Sequence, residues 1–167
     1  MYIETKRLRL RPITIADLDE YVEMHDDPEV TRFIGRRDRS EAAERLRGDA
    51  RECLQRGYGM LAVLDRDDDR FLGRVLLKYW AQFEETELGW TLRRDAWGHG
   101  FGTEAAAALR DWAFENLELP YLTSMIHPDN ERSARLARRL GMSEMRDDVL
   151  LGTPVVVFSL SRGEWSR

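Results

Sequence analysis

The sequence predicts an α/β (or α+β) layer structure with a mixed, mostly antiparallel central sheet. Two observations favour this fold class. Short strand-like runs follow one another as hairpins, and one glycine-rich turn lies between a strand and a helix, which indicates a single β-α-β crossover. The 167 residues are 43% hydrophobic and contain no internal repeat or low-complexity linker. We therefore expect one domain that spans residues 1–167.

The first part of the chain predicts a strand followed by two helices. Leu8 and Leu10 alternate with arginines, which is typical of a strand with one apolar face. Thr14 is placed to cap the first helix. Ser40 is the candidate N-cap of a second helix over residues 41–56. The buried stripe of that helix is predicted to consist of Ala43, Leu46, Ala50, Cys53 and Leu54.

The remaining chain predicts six strands and two further helices. The strands cover residues 58–64, 71–79, 86–92, 121–126, 143–151 and 155–160. One helix covers residues 103–117, and a short basic helix covers residues 131–140 and is ended by Gly141. The helix over residues 103–117 joins the strands before and after it, so it forms the crossover.

Composition excludes several function classes. The formal net charge is −5 and no long basic block is present, so nucleic acid is not an expected partner. No run of 18 apolar residues exists, so no membrane partner is expected either. The N-terminal residues form no apolar signal core, and we expect a cytoplasmic location. A single cysteine excludes an intramolecular disulfide and a cysteine-rich metal site, and no metal is expected.

The most informative run is Trp-Gly-His-Gly-Phe-Gly-Thr-Glu-Ala at residues 97–105. A strand-like segment precedes it and an alanine-rich helix follows. Glycines allow backbone angles and close approaches that a Cβ would block. The first N–H groups of a helix have no helical partner, and the helix dipole there favours negative charge. A phosphate or pyrophosphate is the natural ligand. The alternative is a tight turn that needs glycine for its backbone alone.

Four segments, in this order and at natural spacings, resemble the GCN5-related N-acetyltransferases (GNAT). They are residues 5–12, residues 87–90, the loop at residues 97–105, and residues 130–133 with 140–142. The chain looks most like the branch that acetylates the N-terminal amines of ribosomal proteins (RimJ- and RimL-like). The resemblance covers nearly all of the chain. It implies a GNAT-like sheet with helices on both faces, strands that splay around a cofactor cleft, and acetyl-coenzyme A (acetyl-CoA) as the acyl donor.

The resemblance also assigns residues to the binding of acetyl-CoA. Its pantetheine arm would pair with the backbone of Trp90 and Leu92 in the gap between two parting strands. Asn130 would bind that arm, cap the following helix, or do both. The pyrophosphate would be bound by backbone N–H groups of the glycine loop, whose residues are Gly98, His99, Gly100, Phe101, Gly102 and Thr103.

Two residues are the candidates for catalysis. Glu87 is the predicted general base, acting through a water, because it is acidic and lies on the strand beside the thioester; the alternative is an exposed strand glutamate. Ser133 is the candidate near the leaving sulfur, and a surface serine of a helix is its alternative. His127 is a second candidate base. The expected reaction is direct transfer in a ternary complex, with no covalent enzyme intermediate.

The sequence departs from the family pattern at two positions. Trp97 begins the loop where many members have Gln or Arg. Ala137 occupies the position of a tyrosine that, in many members, protonates the leaving thiolate. The proton donor must therefore be another group or water. The missing tyrosine also leaves open a non-catalytic acyl-CoA-binding or sensor module on the same fold.

Residues 100–105 also satisfy a G-x-G-x-x-A dinucleotide fingerprint, so an NAD-binding protein is a further alternative. Only about 65 residues follow the loop, which is too few for a full doubly wound sheet. Within the enzyme interpretation, the acceptor is a primary amine: a protein N-terminus or a small-molecule amine such as an amino acid, a polyamine or an aminoglycoside. Acceptor contacts are expected from residues 32–39 and from the last hairpin. Formation of a homodimer through the last strands stays open.

Overall fold

A computed structural model describes residues 1–166, which form one eight-stranded sheet. The strands are β1 (Ile3–Glu4), β2 (Leu8–Pro12), β3 (Met60–Asp65), β4 (Phe71–Trp80), β5 (Glu85–Leu92), β6 (Tyr121–Ile126), β7 (Ser143–Leu150) and β8 (Thr153–Ser161). Their order across the sheet is β1-β2-β3-β4-β5-β6-β8-β7. All neighbours are antiparallel except β5 and β6, which are parallel. Arg167, the last residue of the predicted domain, lies outside the described residues.

Within residues 1–166, six α-helices and two short 3-10 helices (Ile15–Asp17 and Arg94–Ala96) connect and cover these strands. The α-helices are numbered in chain order. They are α1 (Leu18–Asp26), α2 (Pro28–Thr31), α3 (Arg39–Arg56), α4 (Phe101–Asn116), α5 (Glu131–Arg139) and α6 (Arg162–Trp165). The crossover from β5 to β6 runs through α4, as the sequence predicts. No helix within residues 1–166 is long and apolar enough to cross a lipid bilayer.

The predicted fold class is confirmed; the differences lie in element ends, in the buried face of α3, and in the short elements β1, α2 and α6, which were not predicted. Thr14 caps the turn before α1 and bonds reciprocally with Asp17, as its spacing suggests. The N-cap assigned to α3 was wrong: Asp38, not Ser40, caps it, in a reciprocal pair with Glu41. The predicted α3 stripe was also partly wrong, because Leu54 is 86% exposed. Ala43 and Leu46 of the predicted stripe are buried, together with Ala42 and Asp49, whereas Ala50 and Cys53 are half-buried.

The sheet separates two apolar clusters, one on each face. Leu88 and Leu92 of β5 pack with Leu109 of α4 and with the residues of α5 on one face. On the other face, Leu76 of β4 packs with Tyr21 of α1 and with the residues of α3. Successive side chains of a strand point to opposite faces, so even- and odd-numbered residues of β5 serve different layers. This alternation determines which side chains meet at the site.

Candidate active site

A cleft opens where β5 and β6 part. The two strands run parallel but share a single ladder pair, Glu87 opposite Thr123. One step further on, the Ser124 hydroxyl donates to the Leu88 carbonyl at 2.6 Å and substitutes for the next ladder bond. Past this point the strands diverge and border a cleft of about 680 Å³. The splayed strands expected from the sequence are therefore present, with a serine side chain at the point of divergence.

The cleft is lined from both faces of the sheet. Trp90 and Leu92 belong to the cluster that includes α4 and α5. Arg74, Lys78 and Glu87 point to the opposite face, because β4 and β5 pair Arg74 with Thr91 and Lys78 with Glu87. We call the first half the loop side, which comprises Trp90, Leu92, Gly102, Asn130 and Ser133. We call the second half the α3 side, which comprises Arg32, Arg37, Arg45, Arg74, Lys78, Trp80 and Glu87.

The glycine loop leads directly into α4. Gly98 and Gly100 both have φ of +80°, a region that glycine adopts without strain. Gly100 is the N-cap of α4, and the first helical bond runs from the Glu104 N–H to the Gly100 carbonyl at 3.0 Å. The N–H groups of residues 101–103 therefore have no acceptor within the helix. No side chain caps this helix start, which leaves it suited to an anion.

The segment between β1 and β2 supports the outside of the loop through Thr5 and Arg7, which we call the buttress. Glu104 accepts from the Thr5 hydroxyl at 2.6 Å and from the Arg7 Nε at 2.7 Å. Arg7 also donates to the His99 carbonyl at 2.9 Å. The carbonyl and the following N–H of a trans peptide point in opposite directions, so the N–H of Gly100 points away from Arg7. These contacts lower the pKa of Glu104, although burial acts in the opposite direction.

The other predicted loop residues differ in their surroundings. The rings of His99 and Phe101 stack at 5.8 Å, and the Arg7 guanidinium lies 4.6 Å from the Phe101 ring centre, on the buttress rather than on the cleft wall. The Thr103 hydroxyl accepts from Arg139 at 3.3 Å. Gly102 lines the cleft. A Cβ at Gly102 would lie 3.1 Å from Leu136 Cδ1, so glycine here permits close packing.

The loop side brings the remaining predicted binding residues together. Asn130 caps α5 by accepting from the Ser133 N–H at 3.2 Å, so its helix-capping role is observed. The Ser133 hydroxyl accepts from the Trp90 indole at 3.3 Å. The Leu92 carbonyl accepts from the Trp97 indole at 2.9 Å, which occupies one of its two lone pairs. Alternate carbonyls of a strand point to the same edge, so the backbone of Trp90, like the Leu88 carbonyl, faces the gap.

Glu87 lies at the base of the α3 side. It is half-buried, and its carboxylate accepts from the Trp80 indole at 2.6 Å. Burial raises the pKa of Glu87 above its ordinary value, while the Trp80 hydrogen bond and the Arg74 charge act in the opposite direction. A carboxylate with a raised pKa is better matched to accepting a proton near neutral pH. A Cβ on Gly89 would lie 3.8 Å from the Glu87 carboxylate, so this glycine keeps space beside it open.

Residues 32–39, expected to contact the acceptor, contribute Arg32 and Arg37 to the α3 side, but the cations from β4 and α3 were not predicted. Arg74 and Lys78 lie on either side of Leu76 on one face of β4. Arg37 lies in the segment before α3, and Arg45 lies in α3. Two charged residues on one face of an otherwise apolar strand, with only Leu76 between them on that face, are the signal that could have revealed the first pair. His25 lies fully buried near these cations. Burial, together with the Arg74, Arg37 and Arg45 charges, lowers the pKa of His25 to about 4.

His127 lines the cleft, whereas Ala137 does not. The His127 ring packs at 5.0 Å against Phe33, in the segment after α2, and its Nδ1 accepts from the Asp129 N–H at 3.1 Å. Ala137 is fully buried in the core on the α5 face.

Known proteins show the same architecture. A family model described as an acetyltransferase (GNAT) domain matches residues 7–143. An uncharacterized N-acetyltransferase named p20 from Bacillus licheniformis is 27% identical over 144 residues, which are 84% of this chain and 81% of that protein.

Solved structures agree with this match. An acetyltransferase from Agrobacterium tumefaciens is 31% identical and superposes with a TM-score of 0.87, over 96% of this chain and 94% of that one. RimL, a ribosomal L7/L12 alpha-N-protein acetyltransferase solved in complex with coenzyme A, superposes with a TM-score of 0.81 over 96% and 98% of the two chains. At 15% identity, the RimL match shows the fold alone. The chain therefore belongs to the GNAT family and is an acyltransferase of the N-acetyltransferase type.

Proposed function

We propose that this protein transfers the acetyl group of acetyl-CoA directly to a primary amine in a ternary complex. The observation that supports this most is the cleft itself, which is lined from both faces of the sheet. The loop side offers backbone groups to the acyl donor, and the α3 side offers Glu87 to the acceptor. Donor and acceptor can then approach the same point from opposite faces, which places the reacting atoms together without a covalent enzyme intermediate.

The loop side fits the diphosphate and arm of acetyl-CoA. The N–H groups at the start of α4 are free of helical partners and carry the positive end of the helix dipole. The parted edge of β5 presents the Trp90 backbone to the amides of an extended arm, in the manner of an added strand. Asn130 and Ser133 lie across the gap on α5. When bound, acetyl-CoA supplies an activated thioester to this edge.

Glu87 is proposed as the general base. The amine nitrogen forms a bond to the thioester carbonyl carbon, and the carbon–sulfur bond breaks. Glu87 takes the proton that the amine loses, directly or through one water. The Trp80 indole holds the carboxylate in place, and burial keeps its pKa high enough to accept a proton. The N–H of Trp90 is the proposed donor to the carbonyl oxygen as charge develops on it.

The leaving thiolate needs a proton, and Ser133 is the proposed source. Its hydroxyl oxygen accepts a hydrogen bond from the Trp90 indole, so the hydroxyl proton is free to be donated to another group. Water can then reprotonate the serine. Ala137, at the position where a tyrosine is expected from the resemblance, is enclosed in the core and supplies no donor.

The test separates binding from chemistry. Acetyl-CoA is expected to raise the melting temperature, whereas NAD is not, because only a bound ligand stabilises the folded state by mass action. Release of free thiol from acetyl-CoA is then measured with and without primary amines, and the acylated product is identified by mass spectrometry. Binding without amine-dependent thiol release would favour the sensor alternative. A melting shift with NAD alone would overturn the proposal.

A further inference from the structure

The α3 side contains cations that no protein group neutralises. Within residues 1–166, the side chains of Arg37, Arg74 and Lys78 form neither a hydrogen bond nor an ion pair with a protein group. The Arg74 Nε is fully shielded from solvent and has no partner. Lys78 has only the face of the Trp80 ring, at 4.4 Å. All three line the cleft and are half-buried.

The carboxylates that act on both Arg74 and Lys78 are already engaged. Glu87 stands directly across the ladder from Lys78, yet its carboxylate is held by the Trp80 indole. Asp49, on α3, is bound by Arg45 at 2.6 Å. Burial lowers the pKa of both Lys78 and Arg74, which shows that these charges are poorly solvated. Buried cations without partners destabilise a fold, and an anion that binds between them offsets this effect.

The acyl donor does not account for these cations. Its proposed diphosphate site is at the start of α4, which packs on the opposite face of the sheet together with Leu88 and Leu92. Arg74 and Lys78 point to the α3 face, on the same side as the proposed base. An anion bound there must therefore arrive with the acceptor.

We propose that the acceptor is a small primary amine that carries a carboxylate, an amino-acid-like molecule, and that Arg74, Lys78 and Arg37 bind the carboxylate while the amine faces Glu87. This rests on the proposed function and names its substrate class. Phe33, Ile34 and Leu76 also line this side, so an apolar body between the two ends fits. The cationic surroundings disfavour the ammonium form of the acceptor, which leaves more of it as the nucleophilic neutral amine.

The same charges select against other amines. A polyamine or an aminoglycoside would bring several positive charges next to Arg74 and Lys78, which costs binding energy. An apolar amine with one positive charge is repelled less than a polycation. It has no carboxylate, however, to pair with the unpaired cations of the α3 side. Selectivity should therefore follow the presence of the carboxylate.

The experiment compares matched amines with acetyl-CoA as donor. Leucine, methionine and phenylalanine are each tested against their carboxamides, with spermidine as the polycation. We expect kcat/KM to favour each acid over its amide by about tenfold or more, because charge-assisted hydrogen bonds are strong in a half-buried site. The amide has the less basic amine and hence the larger neutral fraction. Intrinsic reactivity therefore works against this result.

Variants test which residues read the carboxylate. Arg74→Gln and Lys78→Gln should each reduce the acid-to-amide ratio to near unity, whereas Arg47→Gln, an exposed charge on α3, should leave it unchanged. The ratio is internal to each variant, so a general loss of stability cancels. Lys78→Gln serves if Arg74→Gln does not fold.

Three outcomes would overturn the inference and leave the proposed function standing. They are amide rates equal to or above the acid rates, a preference for spermidine, and a preference for peptides with an acidic second residue, assayed alongside, over every amino acid. Absence of acetyl-CoA binding, or binding without acylation of any amine, would overturn the proposed function as well, so the two failures are distinguishable.

Discussion

The two sides of the cleft are built in different ways. The loop side consists mainly of backbone groups: the parted edge of β5 and the start of α4, shaped by glycines at positive φ. The α3 side consists of long charged side chains that come from β4, β5, α3 and the segment before α3. The loop side combines residues 90–102 with the start of α5, whereas the α3 side combines residues from the segment before α3, from α3 itself and from the β4–β5 hairpin.

This difference separates what the fold supplies from what the individual side chains supply. Backbone N–H groups offer the same contacts whatever the surrounding side chains, so the loop side suits a donor shared across a family. Side chains on the α3 side can change without altering the sheet, so acceptor choice can vary on a constant scaffold. Substitutions on the loop side should therefore affect binding of the donor, and substitutions on the α3 side should affect the acceptor and the chemistry.

The largest expected effect comes from Gly100→Glu on the loop side. The new carboxylate would lie at the start of α4, where a diphosphate is expected, so we expect acetyl-CoA binding to fall below detection by calorimetry. Gly100→Ala is the matched control. It shares the backbone strain at φ +80°, about 1 kcal/mol or more of stability, without the charge. A Cβ here meets only Arg7 Nη2, at 3.4 Å. Wild-type affinity in the glutamate variant would refute the loop assignment.

Glu87→Gln tests the other side and should leave donor affinity intact. We expect kcat to fall about 10²-fold near pH 6 and less at pH 9, where more of the acceptor amine is already neutral. Glu44→Gln, an exposed carboxylate on α3, is the control. Rates equal to wild type across the pH range would remove Glu87 from the mechanism.

The same variant makes a prediction about stability. Because burial raises the folded-state pKa of Glu87, the wild-type fold binds more protons than the unfolded chain between the ordinary and the raised pKa. The contribution of Glu87 to wild-type stability therefore falls as pH rises through this window, and Glu87→Gln should remove that contribution. Melting temperatures of the wild type and the variant at several pH values measure it, and the same pH dependence in both would contradict it.

Most of the fold could be predicted from local pattern. The period-two alternation of β2, the turn around the aspartates after β3 and the glycine loop each mark an element by themselves. The errors lie in α3, where the charges give little contrast between faces. Ser40 and Asp38 both suit an N-cap, and only the reciprocal bond with Glu41 decides between them.

The candidate site likewise has a part that could be predicted from the sequence and a part that could not. Predicted residues on the loop side lie close together because they are near in sequence or belong to family motifs, although His99 and Phe101 pack on Arg7 outside the cleft. The Trp80 contact to Glu87 could not be predicted, because it depends on the hairpin that brings β4 beside β5. The cluster around Arg74 likewise depends on how α3 crosses the sheet. Which residues lie opposite each other on two strands cannot be predicted from the sequence until the register of the strands is known.

His25 tests whether the cationic side is costly to fold. Its folded-state pKa of about 4 lies below the ordinary 6.5, so the unfolded chain binds more protons between these values and stability is lost as pH falls through them. Between pH 7 and pH 5 this amounts to about 2 kcal/mol. Glu87 titrates in the opposite sense in the same range. The effect of His25 should therefore be measured by comparing Glu87→Gln with the double variant Glu87→Gln/His25→Phe. Identical slopes of stability against pH would contradict the assignment.

The smallest expected effect is that of Trp80→Phe, which keeps the ring but removes the indole N–H that binds Glu87 at 2.6 Å. That hydrogen bond favours the ionised carboxylate, so its loss should raise the pKa of Glu87 further. The acidic limb of the pH–rate profile should move to higher pH, and the rate near neutral pH should fall severalfold. Recovery of the wild-type rate at high pH would distinguish this role from a purely structural one. Trp90, on the loop side, contacts Ser133 rather than Glu87. Trp90→Phe should therefore leave the acidic limb in place. An equal shift in both variants would mean that the two sides of the cleft are not electrostatically separate.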